Sequence, residues 1–298
     1  MSIIQQVTPI THDLGDFKVR RAIPSPLLRM VGPFVFVDQF GPARLDPGKG
    51  MDVRPHPHIN LATVTWLFEG AINHRDSLGT CSTIRPGTVN LMTAGQGIVH
   101  SERSPAPERA EGPHFYGMQT WLALPEDREE IAPAFEAVDD LPVVEDGGAY
   151  ARIIMGSLWG RTASTTCYAE TIYAEIVLQP GGAVPIDGSD KGGADERALM
   201  LVGGEAALDG EALTLYDLVV LKPGPAMRLT STEGGRVMLL GGEAFAERRY
   251  VYWNFVSSRR ERIEQAKEDW RAGRFGLVPG DAEEFIPLPD KPKTVSYP

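Results

Sequence analysis

Short apolar runs, each closed by glycine, proline, asparagine or aspartate, mark the first half of the chain. Val35-Phe36-Val37 is followed by Gly41-Pro42, and Leu61 to Phe68 is apolar or β-branched at most positions before Glu69-Gly70. Val89 to Met92 lies between Pro86-Gly87 and Gly95, and Met118 to Leu124 ends at Pro125. Turn signals at intervals of about 8–12 residues predict the short strands of an all-β sandwich or barrel. The helical period is absent from this half. The same pattern resumes at Ala151 to Met155, Tyr173 to Leu178, Ala198 to Val202, Leu218 to Leu221 and Val237 to Leu240. Gly-Gly pairs at 181–182, 192–193, 203–204, 234–235 and 241–242 read as hairpin turns.

Residues 126–147 interrupt the pattern with an acidic, proline-containing stretch, EDREE to EDGG. It marks the expected junction, with one domain over residues 1–135 and a second over 136–298. The halves repeat faintly. Trp66-Leu67-Phe68-Glu69-Gly70 echoes Met200-Leu201-Val202-Gly203-Gly204, and Pro86-Gly87 has a counterpart in Pro223-Gly224. A duplicated β domain is the expectation. One helix is predicted near the C-terminus, where Ile263, Ala266, Lys267 and Trp270 recur at i, i+3, i+4, i+7. Ser258 and Glu261 have the spacing of a capping box at its start, and Gly273 and Gly276 close it. The proline-rich tail beyond is expected to wrap the surface.

A formal net charge of −11 over 298 residues argues against a phosphate backbone as partner. The one basic cluster, Arg259, Arg260 and Arg262, reads as a solvated helix end. Two cysteines, Cys81 and Cys167, stand far apart outside any CxxC context and read as buried thiols. No basic start with an apolar run opens the chain, and no stretch reaches the roughly 18 apolar residues of a membrane span. A cytoplasmic monomer is the expectation, with no membrane and no nucleic-acid partner.

The candidate chemistry lies in the histidines. His56-Pro57-His58 places two imidazoles at i, i+2, which in a strand share one face. His100-Ser101-Glu102 repeats the spacing with a histidine and a carboxylate. Three neutral nitrogens and one carboxylate suit Fe(II), Mn, Ni, Cu or Zn better than Ca or Mg. Gly95-Gln96-Gly97 reads as the tight turn that presents His100, since no third glycine or helix follows. His74, after the Glu69-Gly70 turn, is expected to serve that turn beside Arg75 and Asp76, in preference to standing behind a metal ligand. His114 is expected as a packed loop residue. Gln119 and Trp121, at i, i+2 on a predicted strand, are expected in the core, although either can face a ligand. His12 carries no assignment.

HPHINLATVTWLFEGAINHRDSLG followed by RPGTVNLMTAGQGIVHSE resembles the N-terminal signature of the pirin family, in the cupin superfamily. MVGPFVFVDQFGP, GMQTWLALP and RERIEQAKEDWRAGRFG resemble pirins too, so the likeness covers nearly the whole chain. It implies a bicupin: two jelly-roll β-sandwich domains, the first holding one metal, usually iron. It also implies His56, His58, His100 and Glu102 as the ligands. Many pirins read HPHRGFET where this chain has Asn60, Leu61 and Ala62, a change expected to reshape the pocket wall. No histidine follows His114, and the counterparts of His56 and His58, counted back from the shared glycine, fall at Asp190 and Gly192. The second domain is therefore expected to be metal-free.

Several pirins have quercetin 2,3-dioxygenase activity. The resemblance thus implies a small phenolic substrate such as a flavonol, with Glu102 both ligand and proton acceptor. The alternative it implies is a regulator that binds a protein partner in response to metal or redox state.

Overall fold

The computed structural model describes residues 2–13, 17–186, 196–224, 226–290 and 295–297. Strands dominate, and the chain forms two compact units. One comprises residues 12–19, 38–139 and 246–298; the other comprises 1–11, 20–37 and 140–245. The boundary at 139/140 falls inside the acidic stretch. It lies past residue 135 because Ala134–Val138 pairs along Val89–Thr93. The C-terminal helix and tail, grouped by sequence with the second domain, belong instead to the unit that carries the histidines.

Each unit is a sandwich of a large and a small antiparallel sheet. In the first, the large sheet runs Ala134–Val138, Val89–Thr93, Leu61–Gly70 and His114–Ala123, followed by residues 38–44. The small sheet runs Asp52–His58, Ile98–Arg103, Ile72–Asp76 and Cys81–Ile84. Phe40, Leu67 and Phe115 of the large sheet pack with Ile72 and Ile84 of the small one. Leu61 to Phe68, central in its sheet, is buried along its whole length, which explains an apolar run without clean alternation.

The second sandwich repeats this strand order. Glu196–Gly204 takes the place of Leu61–Gly70, between Leu218–Leu221 and Gly235–Gly242. The echoed segments Trp66 to Gly70 and Met200 to Gly204 thus lie on corresponding strands. Ala183–Ile186 and Met227–Thr230 correspond to the strands of His56 and His100. They contribute Val184, Ile186, Met227 and Leu229 to a continuous apolar core. Apolar side chains fill the space where the first unit has imidazoles. Asp190, Gly192 and the Gly192-Gly193 pair lie outside the described residues. Of the other glycine pairs, 203–204 closes one strand and 241–242 lies within another, so neither forms a hairpin turn.

The helix spans Arg260–Arg271, and Gly273 follows at φ +66°. Its buried residues Ile263 and Ala266 pack with Ile59, Tyr252 and Phe255. Burying Ile263 contributes about 1.5–3 kcal/mol. The capping box does not form, because the Ser258 hydroxyl donates to Glu129 at 3.0 Å. Arg259 and Arg262 are not simply solvated; both bind Glu130, and Arg262 also donates to the Gln96 carbonyl. Cys81 and Cys167 are exposed, not buried. Cys81 opens an edge strand, where one face meets water. Among the described residues, no helix is long and apolar enough to cross a membrane.

Candidate metal centre

Two adjacent strands of the small sheet bring the histidines together. Asp52–His58 and Ile98–Arg103 pair so that His100 stands opposite His56, with His58 one pleat further along the same face. The donor atoms of His56, His58 and His100 all lie within 4.8 Å of one another. The Nε2 atoms of His58 and His100 are 3.1 Å apart. Two nitrogens bound to one ion at about 2.0–2.1 Å stand roughly 2.9–3.4 Å apart at right or tetrahedral angles, so the spacing fits a shared ion. Nδ1 of His56 lies 2.8 Å from the Arg54 carbonyl, which leaves Nε2 for the centre.

Burial sets the charge of these rings. Desolvation lowers the pKa of His56 to about 4, against the weaker pull of its bond to Arg54. His58 and His100 are also held well below the ordinary histidine value, chiefly by burial. Neutral imidazoles keep the lone pairs that a metal requires. The donor set therefore fits a divalent transition ion.

Glu102 stands beside this cluster rather than inside it. A bulge between the paired strands shifts the register, and Glu102 sits opposite Val53 on one side and His74 on the other. Its carboxyl is buried, which raises its pKa, while His74 and a hydrogen bond from Thr65 oppose the rise. The Thr65 and Gln119 side chains are bonded at 2.8 Å. The ring of Trp121 meets His58 edge-to-face, with centroids 5.0 Å apart. Gln119 and Trp121, expected in the core, thus both reach the site from the large sheet.

His74 also departs from its expected role. It is buried on Ile72–Asp76, its Nδ1 lies 3.4 Å from Nδ1 of His100, and its Nε2 lies 2.9 Å from Asp76 Oδ2. Phe135 stacks on its ring at 4.5 Å. The signal available in the sequence was His74-Arg75-Asp76, another i, i+2 pair on a strand. His114 is exposed at the start of its strand, not packed in a loop, and His12 is exposed.

The residues that depart from HPHRGFET have structural roles. Asn60 is fully buried at φ +57° and turns the chain between two strands. Its amide donates to the carbonyls of Gly95 and Glu129. Ala62 is buried in the large sheet opposite Leu122 and Thr93. The Asn60 bonds anchor the 95–97 turn that leads to His100. Between His58 and Asn60, Ile59 bridges to Phe255 of the C-terminal segment. Ser257 and Ser258 follow, bonded to buried Glu129, which faces buried Arg249 at 3.7 Å.

Comparison with known proteins agrees with the two-sandwich fold. Residues 16–122 match the pirin family model, and residues 173–276 match the pirin C-terminal cupin domain. A pirin-like protein of Caulobacter vibrioides is 47% identical over 285 residues, covering 93% of this chain and 96% of that protein. The chain belongs to the pirin family. This pirin is also 37% identical to a Pseudomonas aeruginosa protein named "Putative quercetin 2,3-dioxygenase PA1205", over 97% of this chain and 92% of that one. A crystal structure of quercetin 2,3-dioxygenase from Acinetobacter baumannii superposes with a TM-score of 0.89 at 33% identity, over 98% of each chain. The two sandwiches of this pirin are therefore cupin domains.

Proposed function

We propose that this pirin is a mononuclear metal-dependent dioxygenase acting on a flavonol such as quercetin or a related phenolic. His56, His58 and His100 hold one divalent ion, with Glu102 next to them as the fourth ligand once an ion draws it in and Fe(II) the first candidate. The observation that carries the reading is the convergence of three buried, neutral imidazoles at ion-sharing distance. The names of the Pseudomonas and Acinetobacter relatives support the reaction class. A bound ion would supply Lewis acidity toward a phenolic oxygen.

The chain's own groups do the rest. The three imidazoles bring no charge and Glu102 brings one, so the site keeps a net positive pull on a phenolate. Glu102, beside the cluster, takes the substrate hydroxyl proton. Trp121, part-exposed next to His58, offers an aromatic surface for a flat substrate. Iron-loaded protein mixed anaerobically with quercetin and then exposed to air is expected to consume oxygen and release carbon monoxide. Absence of turnover at a verified full metal load would count against the reaction class.

A further inference from the structure

Behind His100 lies a chain of groups that the proposed reaction does not use. Asp76 Oδ1 accepts the backbone N–H groups of Leu78 at 2.9 Å and Thr80 at 3.1 Å. Its other oxygen faces His74 Nε2 at 2.9 Å, and His74 Nδ1 faces His100 Nδ1 at 3.4 Å. Nε2 of His100 then faces His58 across the cluster. All three side chains are buried, so water does not compete for these contacts. Phe135 holds the His74 ring from one face.

The proton positions follow from counting donors. An ionised carboxylate only accepts, so in a neutral His74 ring the single proton on Nε2 is directed to Asp76. That leaves a lone pair on His74 Nδ1, and a contact between two nitrogens needs one proton. It must then sit on His100 Nδ1, leaving the His100 Nε2 lone pair bare toward the cluster. With the proton on His74 Nδ1 instead, His100 Nδ1 becomes the acceptor, and Nε2 carries the hydrogen that blocks a ligand bond.

We propose that the Asp76–His74–His100 chain fixes His100 as the Nδ1–H tautomer and so makes it a competent metal ligand. Asp76 and His74 are positioning residues that touch neither substrate nor ion. The inference rests on the metal reading above, and it assigns a role to a pair that the ligand set leaves out. Groups that orient a ligand through its other ring nitrogen are typically worth about 10–100-fold in metal affinity.

Asp76→Asn tests the chain with little change in shape. The retained oxygen still serves Leu78 and Thr80, while the new amide N–H points at His74 Nε2. That forces the His74 proton to Nδ1 and reverses the chain. Zn(II) affinity, measured by chelator competition, is expected to fall about 10–100-fold, with the melting temperature of the metal-free protein unchanged. His74→Gln, whose side-chain oxygen can accept from His100, is expected to bind more tightly than His74→Phe. Long-range 1H–15N NMR of the metal-free wild type should show His100 protonated at Nδ1, moving to Nε2 in Asp76→Asn. Zn(II) affinity unchanged in Asp76→Asn, or wild-type His100 protonated at Nε2, would overturn the inference. Wild-type protein that binds no Zn(II) would refute the metal reading, and the NMR result would then decide the tautomer alone.

Discussion

Glu129 and Arg249 form a buried ion pair, with side chains 1% and 0% exposed, whose loss should loosen the frame around His58. Glu129 accepts hydrogen bonds from the Ser257 and Ser258 hydroxyls and from the Ser258 backbone N–H. Arg249 donates to the carbonyls of Glu247, Arg248 and Leu124. Burial lowers the Arg249 pKa and raises that of Glu129, so each charge depends on the other. Glu129→Gln keeps a side chain that can bond both serines and removes only the charge. Removing one partner of a buried pair typically costs about 3–5 kcal/mol. At an m-value near 3 kcal/mol/M, the urea midpoint should fall by about 1–2 M. Tryptophan fluorescence is a suitable probe, because Trp66, Trp121, Trp253 and Trp270 all lie in this unit. Adding Arg249→Met should recover part of the loss, since no buried charge then stands without its partner. Strictly additive single and double variants, or a Glu129→Gln midpoint within error of wild type, would refute the reasoning.

Two further outcomes follow. Asn60→Ala should destabilise by about 2–4 kcal/mol, from forcing alanine into the left-handed region and losing the bonds to Gly95 and Glu129. Asn60→Gly should recover the strain component in the same urea measurement. In the metal-free protein, His56 titrates near 4 in the fold and near 6.5 when unfolded. Between those values the unfolded chain binds a proton that the folded chain refuses, so His56 alone should lower stability by about 3 kcal/mol from pH 6.5 to 4, and buried His58 and His100 act in the same direction. A flat urea-midpoint profile across that window would contradict the burial argument.

The architecture was legible because strand periodicity and turn residues are local signals. Two i, i+2 pairs, His56/His58 and His100/Glu102, carry their own geometry, since the pleat alone sets a shared face. What escaped were roles decided by tertiary neighbours. The bulge that sets Glu102 opposite Val53, in place of Arg54, depends on pairing between strands over 40 residues apart. His74 and Asp76 had the right spacing, but their partner His100 lies on a different strand. Ser258 had the spacing of a helix cap, yet the buried carboxylate of Glu129 captured its hydroxyl. Cys81 read as buried because thiols usually are, whereas an edge strand exposes one face. The helix was predictable from its stripe, but not the unit it docks on, which Ile59 and Phe255 decide together.

The central claim is that His56, His58 and His100 share one ion. Elemental analysis of wild type and His58→Ala, both purified without chelators or a nickel column, tests it most directly. About one transition-metal ion per wild-type chain, with sharply lower occupancy in a His58→Ala protein of unchanged β circular dichroism, is the predicted result. A metal-free wild type under metal-replete expression, or full occupancy in His58→Ala, would contradict it.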